Sequence, residues 1–291
     1  MTLAPFVRIV AQGKRRARPL TQGEARESMA LILADDAALR DATQQESGCT
    51  LERVDLDWPC YTAGRTRGVP LFALAAKLMA LAGYKVALHG WNSHQGTAAD
   101  LRGGLQAAGL FGGGLSYSPL ETLNPIAFRL LKLRETLGLR SCINTVLRRW
   151  NPLAARASVQ GVFHPSYRGL QWCAATLLGD CNLTVIKGGG GDFERHPAKD
   201  TAIFGLQNGM EIHTQASALL TDTRRLHEAD RPIALASLWS RAQEDPFASA
   251  TVIGTAALAF WTVTAEKSVR HCTALASELW DTRKIQERSP L

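Results

Sequence analysis

Residues 69–90 read VPLFALAAKLMALAGYKVALHG. Pro70 opens an apolar helix and Gly83 closes it, the expected asymmetry of helix ends. The next residues predict a buried strand from Tyr84 to Leu88, which delivers His89 and Gly90 at its C-terminal end. A helix feeding directly into a buried strand implies a βαβ arrangement and a parallel sheet. Ligands in such sheets bind beyond the carboxyl ends of the strands, so the segments after each strand are where function is sought.

The alternation continues downstream. The pattern predicts a helix over 98–108, a turn at Phe111–Gly114, a helix over 125–137 and a strand over 158–163. A helix over 167–178, a strand over 183–186 and another over 201–206 follow. Beyond that the chain reads as helical, over 218–226, 246–265 and 268–285. Upstream, residues 54–61 begin as a short strand that Pro59 is expected to stop, and residues 35–53 are polar. Residues 1–34 read as helical, with Thr21 and Glu24 spaced as a capping box. The expected fold class is α/β: a small N-terminal helical part, residues 1–53, and a larger domain, residues 54–291, with a mainly parallel sheet.

The 291 residues are 46% hydrophobic and 20% charged, which excludes a disordered chain and allows a large core. The six cysteines form no Cys-x-x-Cys pair and read as reduced thiols of a cytoplasmic protein. The N-terminal apolar run is too short and interrupted for a signal peptide, and no uninterrupted apolar stretch reaches the length of a spanning helix, so no membrane association is expected. The formal charge of +7 favours anionic partners.

That charge is concentrated. Arg8, Lys14, Arg15, Arg16 and Arg18 precede the first acid. Between Phe128 and Arg168, eight arginines and lysines face Glu135 alone, among them Arg148, Arg149 and Arg168. Arginine suits bidentate phosphate contact, and Trp58, Tyr61, Trp91 and Trp150 lie among these basic segments as candidates for stacking on bases. A solvated helix face is the competing reading.

Two strand-end segments can also meet an anion. After Leu88 come His89, Gly90, Trp91 and Asn92, which form either a phosphate contact or a plain turn with a helix cap. After Ile186 come Lys187, four glycines including Gly188 and Gly189, then Asp192 and Glu194. Successive backbone N–H groups can make a concave anion site, and Asp192 or Glu194 can hold Mg2+. No Walker spacing is present, so a flexible loop stays open as the alternative. Asp55 and Asp57 alternate on a strand, as a carboxylate pair or a solvent-facing edge. His89 and His94 are poorly spaced for one metal.

Taken in order, the His-Gly-x-Asn at 89–92, LRETLGLRSCINTVLRRWNPL at 133–153, QGVFHP at 160–165, VIKGGGGDFE at 185–194 and TVIGTAALAF at 251–260 resemble the anthranilate phosphoribosyltransferases. GKRRARPLTQGEAR at 13–26, QGVFHPSYR at 160–168 and the 185–195 segment resemble its YbiB-type branch in particular. The resemblance implies a nucleoside phosphorylase/phosphoribosyltransferase-like fold with a helical and an α/β domain. For the enzymes it implies phosphoribosyl transfer from PRPP to anthranilate with Mg2+, and dimers formed through the helical domain. For the YbiB-type branch it implies binding of nucleic acid without demonstrated transfer.

The chain departs from the enzyme pattern. Where enzymes carry GTGGD, residues 55–64 read DLDWPCYTAG. The KHGNR motif survives only as His89, Gly90 and Asn92. The Asp-Glu metal pair appears as Phe193-Glu194 unless Asp192 substitutes. The segment between Leu33 and Val54 is shorter than the resemblance implies, which puts a family-style homodimer in doubt.

The favoured expectation is a phosphoribosyltransferase-like protein that binds nucleic acid, single-stranded and weakly sequence-specific. The expected contacts are Arg15, Arg16, Arg65, Arg67, Arg148, Arg149, Arg168 and Lys187, with His89, Gly90, Asn92, Gly188 and Gly189 at the old phosphate site. The alternatives are a working glycosyl- or phosphoribosyltransferase using PRPP and Mg2+ with an unassigned acceptor, and a shortened relative with no ligand.

Overall fold

The computed structural model describes residues 54–61, 68–91, 101–137, 143–225, 232–265 and 268–286, together with Thr21, Gly23, Glu24 and Glu27. The chain divides into two compact units, Met1–Glu52 and Arg53–Leu291. In the first, the capping box forms: Thr21 N donates to Glu24 Oε2 at 2.8 Å and Glu24 N donates to Thr21 Oγ1 at 3.3 Å. The other N-terminal expectations fall outside the described residues.

The second unit is built on seven strands: β1 (Leu56–Cys60), β2 (Val86–Gly90), β3 (Leu115–Pro119), β4 (Ala157–Val162), β5 (Asn182–Lys187), β6 (Thr201–Gln207) and β7 (Met210–Ala216). Their order is β3-β2-β1-β4-β5-β6-β7. The first five are parallel; β6 and β7 add an antiparallel hairpin. The helices are α1 (Phe72–Leu81), α2 (Leu101–Ala107), α3 (Leu120–Leu123), α4 (Pro125–Leu137), α5 (Ile143–Leu147), α6 (Tyr167–Leu177), α7 (Leu235–Ser240), α8 (Pro246–Thr264) and α9 (Val269–Gln286).

The two-residue period of the strands sorts their side chains onto opposite faces. One face carries Leu56, Trp58, Val86, Leu88, Val159 and Ile186 into a core shared with α1, α8 and α9. The other face splits. Val162, Leu183, Val185 and Leu206 pack against Ala175 and Trp172 of α6, while Tyr61 joins Leu120, Leu131 and Leu147 of α3, α4 and α5. Helices on both faces explain why the central strands read as continuous apolar runs.

Two expectations are corrected and one strand is added. Pro59 does not stop its strand. The Asp55 carbonyl accepts from Ala157 N, so alternate residues 55, 57 and 59 face β4, yet the β1–β4 ladder ends at Asp57. The donor that proline lacks would point where no ladder runs. Residues 218–225 are not helical, because Leu219 N and Leu220 N donate to Pro197 O and Ala218 N to Asp200 Oδ1. Finally, β7 lies between the expected strand at 201–206 and the expected helix at 218–226, where no element was assigned. It closes on β6 through Asn208 and Gly209, with φ of 51° and 78°, a two-residue turn whose hand matches strand twist.

Helix α8 is long and apolar enough to cross a membrane by length and composition alone, and it lies buried in this core. Asp245 caps it through Ala248 N at 2.8 Å, Pro246 occupies its first turn, and Thr262 bonds Thr184 of β5 at 2.6 Å.

Candidate functional site

A chain of polar side chains runs through the interior, from Ser158 and Asp57 near the starts of β4 and β1 to His89 and Tyr61 at the C-terminal ends of β2 and β1. Tyr61 Oη lies 2.9 Å from His89 Nδ1, His89 Nε2 lies 3.0 Å from Asp57 Oδ1, and Ser158 Oγ donates to Asp57 Oδ2 at 3.0 Å. In the tautomer that satisfies both contacts, Nε2 donates to Asp57 and Nδ1 accepts from the tyrosine hydroxyl. Asp57, His89, Ser158 and Tyr61 are all buried. The parallel register makes this possible: Asp57 pairs with Ala87 and Ser158, and Pro59 with His89, so these side chains share one face. Burial first, and then the charge of Asp57, push the Tyr61 hydroxyl well above its ordinary range. The Trp150 ring closes edge-on against His89 at 5.8 Å.

Two arginines lock the same region. Arg148 donates from Nε and Nη2 to Tyr61 O, at 3.2 and 2.8 Å, and from Nη1 to Gly161 O at 3.1 Å. It thereby ties β1 to β4 just past their ladder. Arg149 is buried and ion-paired to Asp180. Burial lowers its guanidinium to about 10, opposed by the charge of Asp57.

The glycine loop after β5 folds back on itself. Gly188 N donates to Val162 O, Gly189 N to Glu194 O, Gly191 N to Gly188 O and Asp192 N to Gly189 O. These amides are taken within the chain, so the expected concave anion site is not what this loop forms. The reason for its glycines is close approach: a Cβ on Gly188 would lie 1.6 Å from Asp192 O, and one on Gly161 2.1 Å from Asp192 C. Gly90 likewise faces the Cys60 carbonyl, 2.2 Å from a built Cβ, so its small size serves strand pairing. Phe193 packs edge-on against Trp58 at 5.5 Å, and Trp58 stacks on Phe72 of α1.

The two carboxylates of this loop are inside: Asp192 is 2% and Glu194 1% exposed. Glu194 Oε2 accepts from Phe72 N at 3.0 Å and so caps α1. Among the described residues no group of three or more His, Cys, Asp or Glu side chains could hold a metal ion.

The expected basic groove is not assembled by its described members. Arg148 and Arg149 are internal, and Arg168 bonds Pro165 O while lying over the Phe204 ring at 4.7 Å. Lys187 alone of the four is exposed. Arg15, Arg16, Arg65, Arg67 and Asn92, with His94, fall outside the described residues. The expected stacking aromatics are not a surface either. Trp58 and Tyr61 are buried, and the half-buried Trp91 and Trp150 pack on Phe128 and His89. Asp55 and Asp57 do not act as a pair: Asp55 accepts from Lys85 N at the strand entrance, whereas Asp57 belongs to the buried chain. Asp57 was visible only as one of two alternating acids, since its partners lie 32 and 101 residues away.

No protein-family model matches the chain. It is 30% identical over 168 residues to an anthranilate phosphoribosyltransferase of Paraburkholderia phymatum, covering 52% of this chain and 49% of that protein. It is 28% identical over 225 residues to that of Methylibium petroleiphilum, covering 71% and 64%. An uncharacterised protein of Aquifex aeolicus is 34% identical over 89 residues, 31% of this chain and 29% of its own. The chain thus spans less than two thirds of the length of each of these relatives. Among solved structures, the anthranilate phosphoribosyltransferase of Thermus thermophilus superposes with a TM-score of 0.64 at 20% identity, covering 93% of this chain and 95% of that one. The Saccharomyces cerevisiae enzyme in complex with PRPP and Mg superposes with a TM-score of 0.59 at 15% identity, covering 81% and 71%. The chain therefore has the fold of the anthranilate phosphoribosyltransferases, and the relatives it matches in sequence include proteins of that name.

Proposed function

We propose that this chain keeps the phosphoribosyltransferase fold without transferring phosphoribosyl groups, and that it binds single-stranded nucleic acid with little sequence preference. This is the role implied by its likeness to the YbiB-type branch. One observation carries the reading: Tyr61 and His89, at the ends of β1 and β2 where an open parallel sheet binds its ligand, are engaged in the chain's own buried relay to Asp57 and Ser158, with Arg148 tied to the Tyr61 and Gly161 carbonyls. A pyrophosphate there would have to displace a buried, mutually bonded set. The nucleic-acid half rests on the formal charge of +7 and on the stretch 136–179, which contains no acid.

The second reading, transfer from PRPP with Mg2+, is favoured by the placement of Asp192 and Glu194 together beyond β5. Their geometry does not fit the ion. Mg2+ keeps several waters and takes carboxylates that face the phosphates; both of these are buried, and Glu194 is engaged with the first amide of α1.

Two titrations separate the readings. Calorimetry with PRPP and Mg2+ is expected to give no heat of binding, and micromolar affinity would overturn the non-catalytic reading. Binding of a single-stranded oligonucleotide is expected to weaken steeply with salt, by about 0.7 in the logarithmic slope per phosphate contacted. A flat slope would remove the nucleic-acid role.

A further inference from the structure

We infer that Phe163, His164 and Tyr167 form a base-stacking platform for single-stranded nucleic acid, with Lys187 as its phosphate contact. The inference rests on the nucleic-acid reading and gives it a location which that reading lacks, since the tryptophans expected to stack are buried or half-buried against neighbouring rings.

Phe163 follows β4 directly and is 46% exposed; Tyr167 opens α6 and is 39% exposed. His164 lies exposed between them. The three rings neighbour one another in series: Phe163 and His164 meet edge-on with centroids 4.8 Å apart, and His164 and Tyr167 lie tilted by 37° with centroids 6.2 Å apart. A tight turn holds them in place, with Tyr167 N donating to His164 O at 3.0 Å and Arg168 N to Pro165 O at 3.2 Å. These bonds fix the backbone that carries the rings, which reduces the freedom lost when a flat partner covers them. Leu170, 50% exposed, continues the same apolar surface one helical turn on. An exposed apolar patch of this kind marks an interaction site.

The electrostatics select the partner. Lys187 ends β5, and its register partner Val162 is the residue before Phe163. Adjacent strands lie about 4.8 Å apart, which brings the lysine within reach of a phosphate flanking a base stacked on the rings. No acid occurs between residues 136 and 179, and the nearby carboxylates Asp192 and Glu194 are buried. Aromatic faces beside an unopposed cation are what a sequence-tolerant single-strand site requires.

The test uses the full chain and fluorescence anisotropy at low salt, with a labelled oligothymidylate and an abasic oligomer of equal length and charge. The wild type is expected to bind the thymidylate about tenfold more tightly than the abasic strand. Phe163→Leu and Tyr167→Leu are each expected to lower thymidylate affinity by about tenfold with little effect on the abasic strand, and Phe163→Trp to preserve it. Lys187→Gln is expected to weaken both strands alike. Melting temperatures of the variants check that they fold, and Phe163→Trp keeps the test decisive if a leucine variant does not. Equal binding of the two strands, unaltered by the ring substitutions, would overturn the platform while leaving nucleic-acid binding in place. No binding of either strand would overturn both.

Discussion

Replacing Asp57 with Ala removes the acceptor of two buried donors at once, the Ser158 hydroxyl and a His89 ring nitrogen. Orphaned buried donors each cost about 1–3 kcal/mol, so Asp57→Ala is expected to destabilise by about 3 kcal/mol or more in urea unfolding. Tyr61→Phe deletes one end of the relay and is expected to cost only about 1 kcal/mol, because the ring packing is retained. Equal effects of the two would mean that the relay is not the coupled unit described. His196 offers a pH test. Its Nδ1 accepts from Ala198 N and its Nε2 meets Arg224 O at 2.9 Å, which fits a neutral ring, and burial lowers its ionisation below the ordinary 6.5. The unfolded chain therefore takes up a proton first as pH falls below about 6.5, and stability drops. His196→Gln is expected to flatten the dependence of melting temperature between about pH 7 and pH 5; an unchanged slope would assign the loss to other groups. At this scale the sequence shows residue types only. His89 was legible as a strand-end residue, but its partnership with Asp57 was not, because alignment of β1 against β2 is set by the sheet.

Elements were legible wherever local signals agreed. The predicted helix over 125–137 is α4 to the residue, and the helix over 246–265 is α8 within one residue, with its proline and cap in place. Residues 207–217 were assigned no element, so β7 was missed although Asn208-Gly209 is a pair suited to a two-residue hairpin turn. Glycines show how tertiary contact decides a residue's worth. Gly161→Ala would force a Cβ to 2.1 Å from Asp192 C and is expected to lower stability by about 3 kcal/mol or more. Gly169→Ala, inside α6 with nothing within 4 Å, is expected to raise it by about 0.5–1 kcal/mol. Thermal melts of the pair check both signs; a tolerated Gly161→Ala would mean that the 188–194 loop lies looser over β4 than described.

At the scale of the molecule, the Arg53–Leu291 unit carries all three hydrophobic clusters of the two-sided sheet. A fragment beginning at residue 53 is expected to melt cooperatively by circular dichroism; a gradual, non-cooperative loss of signal would show that the unit cannot stand alone. Charge behaves differently at this scale from what a linear count suggests. Arg148 and Arg149 contribute to the surplus of +7, yet both are enclosed, one among carbonyls and one against Asp180. The basic surface is consequently smaller than the linear count of charges implies. By itself, the sequence determined the α/β alternation and the Thr21–Glu24 capping box, because these depend on hydrophobic period and short-range hydrogen bonding, while the likeness to a phosphoribosyltransferase fold was carried by the ordered set of motifs that resembles that family. Only the tertiary structure decided which charges face inward, that the glycine loop bonds to itself, and which rings reach solvent, because burial is fixed by contacts between residues tens of positions apart.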